Sequence, residues 1–413
     1  MANKLQKYLV GGAVRDHALG TKIIDRDWVI VGSTPEEMVQ LGYLPVGKDF
    51  PVFIDKDSGE EYALARTERK TAKGYQGFQF NASPEITLEQ DLARRDLTIN
   101  AMAQDGEGNL IDPFNGMNDL KNGVLRHVSD AFLEDPVRIL RVARFAARFN
   151  FTIHSSTQAL MQEMVTNGEV DALVAERVWT EMEKALACNK PQIFFQTLRD
   201  CGALAKILPE IDNLFGIPQT AKYHPEIDTG IHTLMVIEQA AKLTQDPLVR
   251  FASLVHDLGK AITPKEILPS HRGHETGGIP IIRQLCERLR VPKKQQSLAL
   301  AVCEYHLHMH KMFELKASTV LKMLENTRSL MDDERAKQIT LCCLADVRGR
   351  TGFENREYKQ IDLFLRYQQA AQKVNGGEIA KNYNDGQKIQ AAIHQARVAE
   401  INKVKQSLSR NNV

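Results

Sequence analysis

An excess of charge of one sign is missing from this chain. Lys and Arg total 53 against 52 Asp and Glu, so net charge does not mark a nucleic-acid binder, and any basic surface must come from local clustering. Cysteine is scarce and scattered. The six residues contain no C-x-x-C pair, which excludes a zinc knuckle or a disulfide framework and suits a reducing cytoplasm. Long hydrophobic runs are also absent. The apolar run "YLVGGAV" meets Arg15-Asp16 at once, far short of the roughly 20 residues a spanning helix needs, so neither a signal peptide nor a membrane segment is expected. No G-K-[ST] follows a glycine-rich turn, which removes the P-loop. Internal repeats and low-complexity segments are lacking. What is present is ordinary protein bulk: 413 residues, 43% of them hydrophobic, which is enough to bury two or more cores.

The first part of the chain, to about Arg126, reads as α/β. "KYLVGGAV", "DRDWVIVG", "FPVFID" and "EEYALAR" are short β-type runs separated by Gly, Pro and Asp. "TPEEMVQLG" is a helix between strands, with Thr34 as N-cap, Pro35 opening it and Gly42 closing it. From "EDPVRILRVARFAARF" onward helical periodicity persists nearly to the end. The expected fold is therefore an α/β (α+β) head followed by a mostly α-helical body. Its expected parts are residues 1–128, 129–220, 221–350 and a tail, 351–413, that ends as an amphipathic helix.

Four stretches, three in the head and one just after it, carry chemistry. In a strand, side chains alternate, so Asp25 and Asp27 of "IIDRDWVIV" are expected on one face with Arg26 on the other. Two carboxylates that close repel unless a divalent cation neutralises them, and hard oxygen ligands suit Mg²⁺. A solvated strand end is the competing reading. Upstream, Gly11-Gly12 close one strand and open a helix, so bare backbone and free helix N–H groups form a cradle for phosphate. Arg15, one turn on, can add a bidentate contact, or it can simply pair with Asp16 at the surface. In "ARRDLTIN", Arg95 is the best candidate for a triphosphate or ribose contact, against an ion pair with Asp91 or Asp96. In "EDPVRILRVARFAARF", Arg138, Arg141, Arg144 and Arg148 share one helical face. For Arg148 a solvated position is expected.

The spacing "GGAVRD…DRD" resembles motif A of the polymerase-β-type nucleotidyltransferases, specifically the class II tRNA nucleotidyltransferase and poly(A) polymerase group. "RRDLTINAM" resembles their second motif, "LIDPFNGMNDLKNGVLRHV" the segment that follows, and "EDPVR" the base-reading E-D-x-x-R. The resemblance implies a nucleotidyltransferase head over 1–128 and a base-recognising neck over 129–220. It implies catalytic, Mg²⁺-holding Asp25 and Asp27, and ATP or CTP contacts by Gly12, Arg15, Arg95, Arg141 and Arg144. Asp135 and Arg138 would read the base. A carboxylate accepts from an exocyclic amino group and a guanidinium donates to a ring acceptor, a pair that cytosine and adenine both present. Guanine and uracil put a carbonyl against the carboxylate, at the cost of an unsatisfied polar group. The competing reading is that Asp135 merely caps the helix. The implied reaction is untemplated addition of C, C and A to the 3′ end of tRNA, with CTP and ATP as substrates and tRNA as partner.

A second chemistry follows. His232 in "TGIHTLMVIEQ" and His256-Asp257 in "RFASLVHDLGKA", with "HRGHETGG" carrying His271 and His274, look like an HD metal-dependent phosphohydrolase domain over 221–350. Imidazoles with a carboxylate suit a transition metal, nickel among them, better than Mg²⁺. The completing ligands stay open between Asp346 of "CCLADVRGR" and His306 of "EYHLHMH". His271, His308 and His310 are expected to be ordinary core histidines. Head plus HD domain resembles the long bacterial form of the CCA-adding enzymes. That form implies phosphatase, 2′-nucleotidase and 2′,3′-cyclic phosphodiesterase activities. The cysteine pattern and the lack of long apolar runs lead us to expect no membrane partner and a cytoplasmic location, and a monomer or homodimer is expected. Two alternatives stand beside it. A poly(A) polymerase on the same head is expected to end in a basic tail, and an HD hydrolase with a nucleotide-sensing head would not need intact Asp25, Asp27 and "EDPVR".

Overall fold

The computed structural model describes residues 5–23, 25–46, 52–70 and 78–410. The first two residues of "FPVFID" and the last three of the tail lie outside them. Contacts divide the chain into two compact units: Met1–Ala185 with Ile193–Ile207, and Leu186–Gln192 with Leu208–Val413. The helices that follow the head up to Ile207 thus pack with it in one unit. Among the described residues no helix is long and apolar enough to cross a membrane.

The first unit is built on strands β1 (Gln6–Val10), β2 (Asp27–Val31), β3 (Leu44–Val46), β4 (Val52–Ile54), β5 (Glu61–Leu64), β6 (Thr67–Lys70), β7 (Phe78–Asn81), β8 (Ala103–Gln104) and β9 (Leu110–Ile111). Seven of them form one mixed sheet in the order β3-β4-β5-β2-β1-β8-β9, and β6 with β7 makes a separate hairpin. The apolar run of β2 is explained by burial on both faces. Val29 packs with Val10, Ala65 and Leu92, whereas Ile30 packs with Met38, Phe53 and Tyr62. The expected helix between strands is Pro35–Gln40, held by a reciprocal capping box between Thr34 and Glu37.

Register decides where the chemistry sits. β1 runs antiparallel to β2 with Val10 opposite Asp27, and β2 runs parallel to β5 with Asp27 opposite Glu61. The turn at Gly11 therefore lies beside the acidic start of β2. After the sheet, helix Val137–Phe149 carries the four arginines on the face opposite its buried Ile139, Leu140, Val142 and Ala143.

The second unit is helical. Thr229–Leu243, Pro247–Val255, Lys293–His310 and Asp333–Arg348 pack on one another, and His274–Arg288 packs on Lys293–His310. Gln360–Gln372 and Ala317–Asn326 receive the last helix, Gly386–Arg410. The tail is thus part of this unit's packing, with Ile401 fully buried.

Candidate active sites

In the first unit a cavity of about 710 Å³ gathers the nucleotide-site residues singled out in the head and the neck: Gly12, Arg15, Asp25, Asp27, Arg95, Asp135, Arg138, Arg141 and Arg144. Nine arginines and one lysine line it against six acidic residues. The near-neutral chain has thus concentrated positive charge where a polyanion would lie.

One expectation about its acidic edge needs correction. Asp25 is not in a strand: β2 begins at Asp27, and Asp25 lies in the loop before it. The reason is that β1 has already turned away at Gly11, whose φ is +68°, leaving Asp25 no ladder partner. Both carboxylates are exposed and both line the cavity. Glu61, opposite Asp27 in β5, adds a third carboxylate that the sequence reading missed. Its only sequence signal was the acidic start of "EEYALAR". An exposed carboxylate set facing a cationic cavity fits a hard divalent ion that also touches phosphate.

Gly11 has two reasons to be glycine. Its φ is left-handed, and a Cβ there would lie 2.8 Å from Nη1 of Arg95. Arg95 also pairs with buried Asp91 through Nη2 at 3.2 Å, and its Nε is buried without an acceptor among the described residues. The ion-pair reading and the ligand-contact reading are therefore compatible. Arg15 is not a surface residue. It is 4% exposed, bonds Asp16 at 2.8 Å and also bonds Asn100, and lies over the Phe149 ring.

Along Val137–Phe149, Arg141 donates to Asp96 at 2.7 Å and Arg144 to Glu181 at 2.5 Å. Burial pushes the Asp96 carboxyl up, but Arg141 and Asn100 outweigh it and hold it well below the ordinary carboxylate range. Arg148, expected to be solvated, is exposed, and it also pairs with Asp16 at 3.0 Å and lines the cavity. The same helical face carries all four arginines, so the wall that takes three takes the fourth.

Asp135 does cap the helix, accepting from Val137 N at 3.0 Å, and it faces Arg177 at 2.9 Å. Arg138 is held by the carbonyls of Ala131 and Arg94 at 3.0 and 2.6 Å. Capping and lining the cavity are not exclusive, because a carboxylate has lone pairs for both. Arg177 and Glu181 lie 40 or so residues downstream and had no local signal.

The second unit contains a buried His-Asp centre. His232 Nε2 is 3.2 Å from Asp346 Oδ1, His256 Nε2 is 3.2 Å from Asp257 Oδ2, and His274 Nε2 is 3.1 Å from Asp257 Oδ1. His306 Nε2 lies 3.2 Å from His274 Nε2. The ligand-type atoms fall into two triplets, His232–His256–Asp346 and Asp257–His274–His306. Both open candidates, Asp346 and His306, are therefore present, and His274 joins them although it was left out of the expected ligand set.

The other ring nitrogens show why this set fits a metal. Nδ1 faces the carbonyl of Ser253 in His256, His271 in His274, Val302 in His306 and Gly349 in His232. Glu226 also reaches His232 Nδ1 at 2.9 Å. Nδ1–H donation to those oxygens leaves each Nε2 as a lone pair aimed at carboxylates. Among the described residues, His256 Nε2 and Asp257 Oδ1 are buried without a hydrogen-bond partner, so their short contacts, to Asp257 Oδ2 and His274 Nε2, set acceptor against acceptor. A cation resolves that conflict. Lys260, 2.6 Å from Asp257, supplies only part of the charge. Burial also pushes His306 down to about 3, so it stays neutral and able to bind metal.

Gly259 of "HDLGK" makes the centre possible. A Cβ there would lie 1.9 Å from the carbonyl oxygen of His274. Only a glycine lets the His274 backbone come close enough to bring its ring to Asp257. Of the three expected core histidines, His271 is satisfied by Pro218 and Thr263, and His308 lies against Tyr305, outside both triplets. His310 needs correction: its Nε2 is 2.6 Å from Asp346 Oδ2. It sits one helical turn after His306, which carries it to the edge of the same centre.

Comparison with known proteins is consistent along the chain. Residues 7–126 match the poly A polymerase head domain, 150–215 a probable RNA and SrmB-binding site of polymerase A, and 229–347 the HD domain. The chain is 55% identical over 405 residues to the multifunctional CCA protein of Laribacter hongkongensis, covering 98% of this chain and all of that one. Among solved structures, a CCA-adding enzyme in complex with ATP superposes with a TM-score of 0.65 at 22% identity, covering 96% of this chain and 87% of that one. The Thermotoga maritima CCA-adding enzyme complexed with tRNA gives 0.64 at 22% identity, covering 98% and 92%. At that identity the structures speak for the fold.

Proposed function

The chain belongs to the family of multifunctional CCA proteins, and from that premise we propose that it builds and repairs the 3′-terminal CCA of tRNA from CTP and ATP, without a nucleic-acid template. The observation that carries this is one cavity that brings the exposed carboxylates of Asp25, Asp27 and Glu61 together with Asp135 and nine arginines, Arg138 among them. Arg95, Arg141 and Arg144 hold the triphosphate against the backbone at Gly11 and Gly12, fixing the α-phosphorus for in-line attack. The terminal 3′ oxygen bonds to that phosphorus, the bond to the β-phosphate's bridging oxygen breaks, pyrophosphate leaves, and the hydroxyl proton passes to solvent. Asp25 and Asp27, with Glu61 beside them, would hold Mg²⁺, whose chemistry there is to polarise the phosphate and acidify the attacking hydroxyl. Asp135 and Arg138 choose C and A over G and U.

The second centre hydrolyses phosphate esters, as a phosphatase, 2′-nucleotidase and 2′,3′-cyclic phosphodiesterase. Water adds to phosphorus and the alcohol oxygen departs with a proton, which would clear damaged tRNA ends before repair. His232, His256, His274, His306, Asp257 and Asp346 would hold a transition metal such as Ni²⁺, which supplies a Lewis acid for water and phosphate. The functional parts are then the head to 128, the neck to 220, the HD domain to 350 and the tail, working in the cytoplasm as a monomer or homodimer.

The test is elongation of tRNA lacking its last three nucleotides, with each triphosphate alone and with CTP and ATP together. Completion only with CTP and ATP is expected. Efficient use of GTP or UTP would overturn the role of Asp135 and Arg138, and no incorporation at all would overturn the function.

A further inference from the structure

Beside the His-Asp centre lies a second opening, a cavity of about 380 Å³ whose lining includes His310, Arg350, Arg356, Lys359, Tyr223 and Phe313. Its inner wall touches the centre directly. His310 and Arg350 both bond Asp346, at 2.6 and 3.2 Å. His310 is oriented from behind by the Tyr358 hydroxyl, 2.7 Å from its Nδ1. Arg350 is largely buried, and its Nε has no acceptor among the described residues. Arg356 and Lys359 add two further cations, offset by Glu357 alone.

The outer wall is of a different kind. Tyr223 and Phe313 are 54% and 53% exposed, two large rings open to solvent at one cavity, with Lys222 Nζ 5.4 Å from the Tyr223 ring centre. Single exposed hydrophobics are normal on any protein. Two aromatic rings and three cations around one opening next to a hydrolytic centre form a pattern with a ligand: guanidinium groups for phosphate and ring faces for a base. The volume falls within the range of small-molecule pockets.

We propose that this cavity seats the phosphorylated nucleoside that the centre hydrolyses. Arg350 and Arg356 hold its phosphate next to Asp346 and His310, and Tyr223 and Phe313 take its base by stacking. The proposal rests on the phosphohydrolase reading above and goes beyond it by naming a substrate site. It makes the centre prefer nucleotides over other phosphate monoesters, with little choice between bases, because every base has a π-face.

The test compares adenosine 2′-phosphate with glycerol 2-phosphate, which carries the ester but no base. Tyr223→Ala, which removes an exposed ring and so spares the fold, should raise KM for the adenosine ester about tenfold or more and leave glycerol 2-phosphate unchanged. Arg356→Ala should raise KM for both. If Tyr223→Ala shifts both substrates equally, or neither, the assignment is overturned. An oligonucleotide ending in a 2′-phosphate distinguishes the source: a lower KM than the free nucleotide assigns the RNA end, an equal one the mononucleotide. A second readout separates this proposal from the one beneath it. Titration of metal-stripped protein with adenosine 2′-phosphate should show a binding event lost in Tyr223→Ala and kept in Asp135→Ala. If the wild type hydrolyses neither ester, the phosphohydrolase reading fails. The cavity assignment is then decided by that titration, standing if the event is lost in Tyr223→Ala and falling if it is not.

Discussion

The two centres solve opposite electrostatic problems. In the first unit the carboxylates Asp25 and Asp27 are exposed, and the surrounding charge is an excess of arginine. Water screens these exposed acids, which suits a site that an ion and a triphosphate would complete together. In the second unit His232, His256, Asp257 and Asp346 are at most 3% exposed. There the protein itself has removed the water and lined up lone pairs against carboxylates, so the centre is formed in advance of any substrate. The first arrangement suits an ion that comes and goes with its nucleotide, and the second a resident ion. Their glycines differ in the same sense. Gly11 leaves room for Arg95, which faces the cavity, and Gly259 leaves room for the protein's own His274 backbone.

The largest effect should come from emptying each centre in turn. Asp25→Ala with Asp27→Ala should cut nucleotide addition by about a thousandfold or more and leave hydrolysis of phosphate esters intact. His256→Ala with Asp257→Ala should do the reverse and should also lower bound transition metal, measured by elemental analysis. A folded double mutant that loses both activities would break the comparison. The glycines give an intermediate effect. Gly259→Ala should cost stability, about 1–3 kcal/mol as for other overpacked cores, and weaken metal retention. Gly11→Ala should leave metal in the second centre untouched and lower nucleotide addition by displacing Arg95. Equal melting losses in the two variants would erase the distinction.

The smallest effect concerns pH. The folded state holds Asp96 well below its ordinary value, so its pairing stabilises the fold above the unfolded carboxylate range. That contribution is lost as pH falls from about 4 toward the depressed folded value. Asp96→Asn should therefore lower stability at pH 7 by about 2 kcal/mol, less than for a fully buried pair because Arg141 is more than a third exposed. The difference from wild type should shrink on acidification in chemical denaturation. A constant difference from pH 7 to 3 would contradict it.

Short-range chemistry was legible in the amino-acid order. The strands near residues 6–31, the Thr34 cap and the arginine face are present in the structure, and the head and neck residues named in advance line one cavity, because period, capping and glycine turns act over a few residues. What could not be read depends on pairs distant in the chain. Glu61 gains its place only through strand register, Arg177 only through its approach to Asp135, and the pairing of Arg148 with Asp16 only through the packing of its helix. Asp25 was misplaced in a strand because the sequence does not show where its partner turns away.

The amino-acid order by itself determined which atoms were available: paired carboxylates, a basic helical face, and histidines with an Asp in an HD pattern. Tertiary structure decided which of them meet. His274 and His310 joined the second centre, while His271 and His308 did not. The physical reason is that ligation needs atoms within a few ångströms, and helix packing, here through Gly259, sets such distances between residues far apart in the chain.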